Sequence, residues 1–314
     1  YVYMAIRRPD GYVGKPAEAG TSVFAMDYGN NVSGTMSNFV SGFPVDFALM
    51  KKPASSSDWY SGSRLTGMGY LKPAADSTEG QLGAFKWQSN VGWNNVNYDT
   101  VWLSWMWKRG PGLDVVTFKG NGLAREIPHS LNQVPEMIWT KNRTTDYEWN
   151  HYHKGLNGGT NPEQYYIQFT DGAEVQNSGR WNDQAPTATA FSIGTHASVN
   201  ASNANIIAML FSSVAGISKV GYYSGSTSQQ TITLGFQPRF IIIRNTAGSR
   251  NWVVFDTERG WASGNDEELN LNKTDAQGGN NDFGAPTATG FTLNYFGNDD
   301  TNNSGFTYIY YAHA

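Results

Sequence analysis

Across 314 residues the chain carries 26 acidic and 22 basic side chains, a formal net charge of −4 and a pI near 5.7, which excludes the basic footprint of nucleic-acid or anionic-membrane binding. No cysteine is present, so disulfides, thiolate metal sites and cysteine nucleophiles are excluded, and their lack leans toward a bacterial or viral origin. Thirty-five glycines, 14% aromatic and only 15% charged residues predict short strands and tight turns, and no stretch has the length of a membrane-spanning helix.

In chain order, Tyr1-Val-Tyr-Met-Ala5 reads as the closing strand of a unit lying upstream. Residues 1–10 are assigned to that unit, and the chain is expected to be a piece of a longer protein. The pair Arg7-Arg8 is too small a basic cluster to change the charge argument. Repeats are predicted over residues 11–112, 113–217 and 218–314. Each carries a proline, an apolar run and a basic residue: Pro44-Val-Asp-Phe-Ala-Leu-Met-Lys51, Pro135-Glu-Met-Ile-Trp-Thr-Lys141 and Pro238-Arg-Phe-Ile-Ile-Ile-Arg244. A tryptophan follows each run after a polar turn, at Trp59, Trp149 and Trp252. Each repeat ends in a strongly apolar strand, and aligning Ala5, Trp105, Met209 and Ala312 gives spacings of 100, 104 and 103 residues. Two heptapeptides, Ala185-Pro-Thr-Ala-Thr-Ala-Phe191 and Ala285-Pro-Thr-Ala-Thr-Gly-Phe291, mark the second and third repeats. The first repeat is divergent and lacks that signature.

The third repeat is the clearest. Strands are predicted at Lys219–Tyr223, Thr231–Leu234, Arg239–Arg244, Asn251–Asp256, Glu268–Asn272, Gly290–Asn294 and Phe306–Tyr311. Thr231–Leu234 alternates as a half-buried strand does, whereas the unbroken run at Phe240–Ile243 predicts burial on both faces. About seven short strands per hundred residues predict an all-β fold of tandem antiparallel β-sandwich, jelly-roll-like domains.

The chemistry-bearing residues are sparse. His151 and His153 would share one strand face, the spacing a metal site on a β-structure uses, with His129 nearby in sequence. They lack a neighbouring carboxylate and occur in one repeat only, so partly exposed surface histidines are expected, with no metal and no cofactor. The acids of Asn265-Asp-Glu-Glu268 and Asp299-Asp300 lack the spacing of a calcium loop. Asp146 with Glu148 has the composition of a glycosidase pair but nothing that separates it from turn acids. No nucleophile elbow, phosphate loop or His-Glu-x-x-His motif occurs, and no catalytic residue is assigned. Eleven tryptophans raise carbohydrate stacking. The recurrent Trp59, Trp149 and Trp252 are expected to pack the core of their own repeats. Trp93, Trp181, Trp261 and Tyr165 are the candidate glycan contacts.

Several segments then resemble a repeat found in virion proteins of tailed bacteriophages, especially marine ones. They include Ile127-Pro-His-Ser-Leu131, Val134-Pro-Glu-Met-Ile138, Lys141-Asn-Arg143 and Tyr152-His-Lys-Gly-Leu-Asn-Gly158. Trp181-Asn182, the two heptapeptides, Ser198-Val-Asn-Ala201, Ile217-Ser-Lys-Val-Gly221, Gly235-Phe-Gln-Pro-Arg-Phe240 and Tyr308-Ile-Tyr-Tyr-Ala312 extend it, and Tyr3-Met-Ala-Ile-Arg-Arg8 resembles a unit's end. The resemblance implies a structural or adhesive role in the particle and hands over no catalytic residues; the expectation drawn is a non-enzymatic tail fibre or appendage on the outside of a virion that contacts host-surface glycan. Other virion proteins would be its partners, and a homo-oligomer, a trimer by preference, would cover aromatic strips left exposed on a lone chain. Nucleic acid and membrane insertion are not expected. A capsid decoration protein or head fibre, a carbohydrate-binding or polysaccharide-degrading protein, and a bacterial extracellular adhesin or fibre are the alternatives.

Overall fold

A computed structural model describes residues 19–30, 37–94, 98–170, 172–295, 297 and 300–314. The strand expected within residues 1–10 lies outside them, as does position 299. The protein is all-β, and its sheets are antiparallel. Three main sheets share one order: opening strand, closing strand, middle strand, and a fourth strand that follows or contains the recurrent tryptophan. In the first these are Phe24–Tyr28, Leu103–Trp107, Phe47–Lys51 and Tyr60–Ser63. In the second they are Leu113–Lys119, Asn205–Phe211, Met137–Asn142 and Asn150–His153, and in the third Ser218–Ser224, Thr307–His313, Phe240–Asn245 and Trp252–Asp256.

A smaller sheet covers the outer face of each main sheet, making a sandwich. Phe39–Val40 pairs with Gly92–Trp93, Arg125–Pro128 with Ala190–Ile193, and Gly290–Leu293 with both Gln230–Thr233 and Pro286–Thr287. The heptapeptides form the turn into these outer layers. Thr187 N–H donates to Ala190 O at 2.8 Å in one copy, and Thr287 pairs with Gly290 in the other. Both turns deliver a phenylalanine, Phe191 or Phe291, into the outer core.

The inner faces meet one another. Phe47, Leu49, Trp105 and Trp107 of the first sheet share one apolar cluster with Met137, Trp139, Met209 and Phe211 of the second and Phe240, Ile242, Ile309 and Tyr311 of the third. The middle strands are therefore buried on both faces along their whole length, which is why their sequences run apolar without alternation. The sheets close on a common centre instead of following one another along a line. Strand register also corrects the alignment of closing strands. Leu49 pairs with Trp105, Trp139 with Met209 and Ile242 with Tyr311, so Tyr311 is the counterpart of Trp105, and Ala312 belongs to the outer layer. A one-residue slip exchanges the faces of a strand, and a run apolar on both faces conceals such a slip.

Candidate functional site

The recurrent tryptophans lie where one sheet meets the next. Trp59, Trp149 and Trp252 are each 2% exposed or less, and their indole N–H groups cross between sheets. Trp59 Nε1 donates to Asn270 O at 3.0 Å, Trp149 Nε1 to Lys72 O at 3.1 Å and Trp252 Nε1 to Gln168 O at 2.9 Å. The first sheet thus bonds to the third, the second to the first and the third to the second, a closed ring. These tryptophans pack a shared core, not the separate core of each repeat.

The basic residue ending each run repeats the circuit. Lys51 Nζ donates to Ser57 O at 2.6 Å within its own hairpin and to Thr274 O at 3.2 Å in the third sheet's loop. Lys141 Nζ donates to Tyr147 O and, at 2.6 Å, to Asp76 O of the first sheet's loop. Arg244 Nη2 donates to Gly248 O at 3.0 Å and to Gly172 O at 2.7 Å in the second sheet's loop. In all three seams the cation takes the carbonyl four residues beyond the one taken by the tryptophan. Burial lowers these cations, Lys51 and Lys141 to about 8 and Arg244 to about 10. Asp275 and Asp58 oppose the shift at Lys51, and Glu148, Asp76 and Asp146 oppose it at Lys141. Asp146 and Glu148, the carboxylates weighed as a glycosidase pair, thus lie in the field of Lys141.

A third position around the ring differs among seams. Register places Tyr28 opposite Leu103, Thr117 opposite Ile207 and Tyr222 opposite Ile309, with Leu103, Ile207 and Ile309 themselves opposite Lys51, Lys141 and Arg244. Tyr28 is partly buried against the shared core. Tyr222 is 46% exposed and lies along a glycine-bearing loop of the second sheet. A Cβ on Gly155 would come within 2.5 Å of Tyr222 Cβ, and one on Gly159 would strike the ring's hydroxyl end.

The family model for a domain of unknown function, DUF7483, matches residues 74–314, well over half of the chain. This chain belongs to the DUF7483 family. A search of curated proteins finds no match.

In this DUF7483 chain three of the four candidate glycan contacts are buried. Trp93 is 0% exposed, stacks on Trp87 with ring centres 4.7 Å apart and donates through Nε1 to Ser104 Oγ at 3.0 Å. Trp181, 2% exposed, closes a helical turn capped by Asn177 and packs into the second outer layer beside Tyr152. Trp261, 3% exposed, donates to Gly284 O at 2.9 Å and sits between Phe255 and Phe291. Each stands in polar, loop-like sequence, yet Trp93 pairs within a small sheet and Trp181 and Trp261 pack into the outer cores. None of the three presents a face to a sugar. Tyr165 is half-buried with its ring against the shared core.

The histidines also sit elsewhere than expected. His151 and His153 do share a strand face, yet both are buried. His153 Nε2 lies 3.2 Å from Tyr310 O, across the seam to the third sheet. His151 is boxed by Trp139, Trp149, Phe169 and Trp252, and neither ring nitrogen has a hydrogen-bond partner. His313 packs at a tilt against Phe24 of the first sheet, ring centres 4.6 Å apart. His129 is apart from them, held by Thr187 O at 3.2 Å. Among the described residues no group of three His, Asp or Glu side chains is placed to hold a metal. Asp266 instead accepts from Phe283 N and Ala262 N, and Asp300 from Asn251. Tyr222 was missed by sequence reasoning. Its signal was the Gly155-Leu-Asn-Gly-Gly159 run, whose partner lies in another repeat.

Proposed function

We propose that this chain is a non-enzymatic structural component of a phage virion, displayed on the outside of the particle as a host-facing knob of a tail fibre or related appendage. The observation that carries the reading is the closed ring of three sheets. It seals every large inner face within one chain and holds the surface loops on a rigid frame, which suits presenting a surface more than spanning a distance. The resemblance of its repeats to phage virion proteins supports the same setting. Other virion proteins and a host-surface polysaccharide are the partners of this reading. Because the three sheets already cover one another's aromatic strips, a trimer is no longer required for that purpose.

Light scattering of the purified chain, alone and with a panel of purified bacterial surface polysaccharides, tests the reading. A stable species of defined mass that binds a polysaccharide and leaves its chain length intact is the expected result. Shortening of the polysaccharide would replace the reading with a degrading enzyme.

A further inference from the structure

The seam between the second and third sheets carries an aromatic ring that the shared core does not absorb. We propose that Tyr222 is the stacking platform of a carbohydrate subsite, accepting one sugar residue of a host-surface polysaccharide. The inference rests on the host-contact reading above and gives it a place.

Three observations support it. The ring is both exposed and fixed: it is 46% accessible, yet it lies along Gly155 and Gly159, where any side chain would collide with it. A ring already held in place loses little rotational freedom when a ligand covers it. The supporting loop is held in an uncommon conformation. Asn157 (φ 51°) and Asn161 (φ 48°) are left-handed at a small cost, beside Gly158 (φ 62°) and Gly159 (φ 83°), which adopt that conformation freely. Asn157 N–H donates to Glu174 Oε2 at 2.5 Å, and Asn157 Nδ2 to Thr160 O at 2.7 Å, which pin the loop. The loop's exposed residues are also polar: Asn157, Thr160 and Asn161. An aromatic face on a loop that exposes amide and hydroxyl side chains suits a sugar, which offers a C–H face and a rim of hydroxyls. A protein partner would instead need a cluster of desolvated anchors.

The equivalent seam positions limit the count. Thr117 has no ring, and Tyr28 is turned against the core. Of the three equivalent positions, Tyr222 alone offers an exposed ring.

The test is saturation-transfer NMR and calorimetric titration of the whole chain. The probes are the methyl β-glycosides of glucose, galactose, mannose and N-acetylglucosamine, and the polysaccharide bound in the light-scattering experiment. Tyr222→Ala should weaken binding about 10-fold, the equivalent of ~1.4 kcal/mol. Tyr222→Phe should stay within about 3-fold, because stacking survives loss of the hydroxyl. Thr117→Ala should bind as the parent does. An unchanged thermal transition in Tyr222→Ala shows that the fold is intact. If the parent binds glycan and Tyr222→Ala binds equally well, the subsite is overturned while the host-contact reading stands. If the parent binds none of the probes, the glycan part of that reading and the subsite fall together. Protection of Tyr222 in the particle without glycan binding would assign the seam to a neighbouring virion protein and also overturn the proposal.

Discussion

His151, His153 and His313 are neutral histidines sealed at seams between sheets. Burial lowers all three, His153 and His313 to about 3, and His151 well below its usual value with Arg244 adding to the effect. Around His153, Lys154 lowers while Glu136 and the bond to Tyr310 raise; at His313, Arg239 lowers while the Ala314 carbonyl raises. The unfolded chain binds protons at these rings near pH 6.5, whereas the folded chain refuses them to far lower pH. Their stability contribution is therefore complete above about pH 6.5 and falls as pH drops, by roughly 1.4 kcal/mol per pH unit for each ring. Asp266, raised by burial to about 6, acts in the opposite direction below that pH, so a variant isolates the effect. His151→Phe removes two unpartnered nitrogens from an aromatic box. It should raise the urea midpoint by the equivalent of ~1–2 kcal/mol at pH 7, and its advantage should grow at pH 5. A constant or shrinking advantage on acidification would contradict this account.

At the scale of elements, the seams depend on matched donors. Trp149→Phe keeps the apolar contact but leaves Lys72 O without its indole donor, so a loss of ~1–3 kcal/mol is expected. Trp149→Ala adds a cavity and should cost ~3–5 kcal/mol. Chemical denaturation of the two variants measures the difference, and a Trp149→Phe variant as stable as the parent would mean that the bond across the seam contributes nothing. The residues of these seams were legible in the sequence, because proline, apolar run, basic residue and tryptophan recur in fixed order. Their partners were not, since a donor in one repeat meets a carbonyl in another, and no local pattern records that pairing. The same limit explains Trp93, Trp181 and Trp261: local composition reports a loop, but burial depends on which outer core the segment packs into. It also explains Ala312, since an all-apolar strand carries no mark of which face points inward. Doubly buried middle strands, by contrast, follow directly from the absence of alternation.

At the scale of the whole molecule, one apolar cluster built from all three sheets makes independent unfolding of any one of them costly. The described chain should melt in a single transition with calorimetric and van't Hoff enthalpies in agreement. Separate transitions would show that the sheets are autonomous. A fragment spanning residues 218–314 should fail to fold as a monomer, because Phe240, Ile242, Ile309 and Tyr311 lose the residues that cover them. Circular dichroism of that fragment checks this.

The direction of the tryptophan bonds has an evolutionary consequence. An open array can gain or lose a copy at its end and remain folded, so its copy number can drift. Here each sheet bonds to the one before it, and the first bonds back to the third. Deleting one sheet would strand a donor and an acceptor and uncover two inner faces, and a fourth would find the circle already shut. A change in the number of these sheets would therefore leave a donor, an acceptor or an inner face without its counterpart.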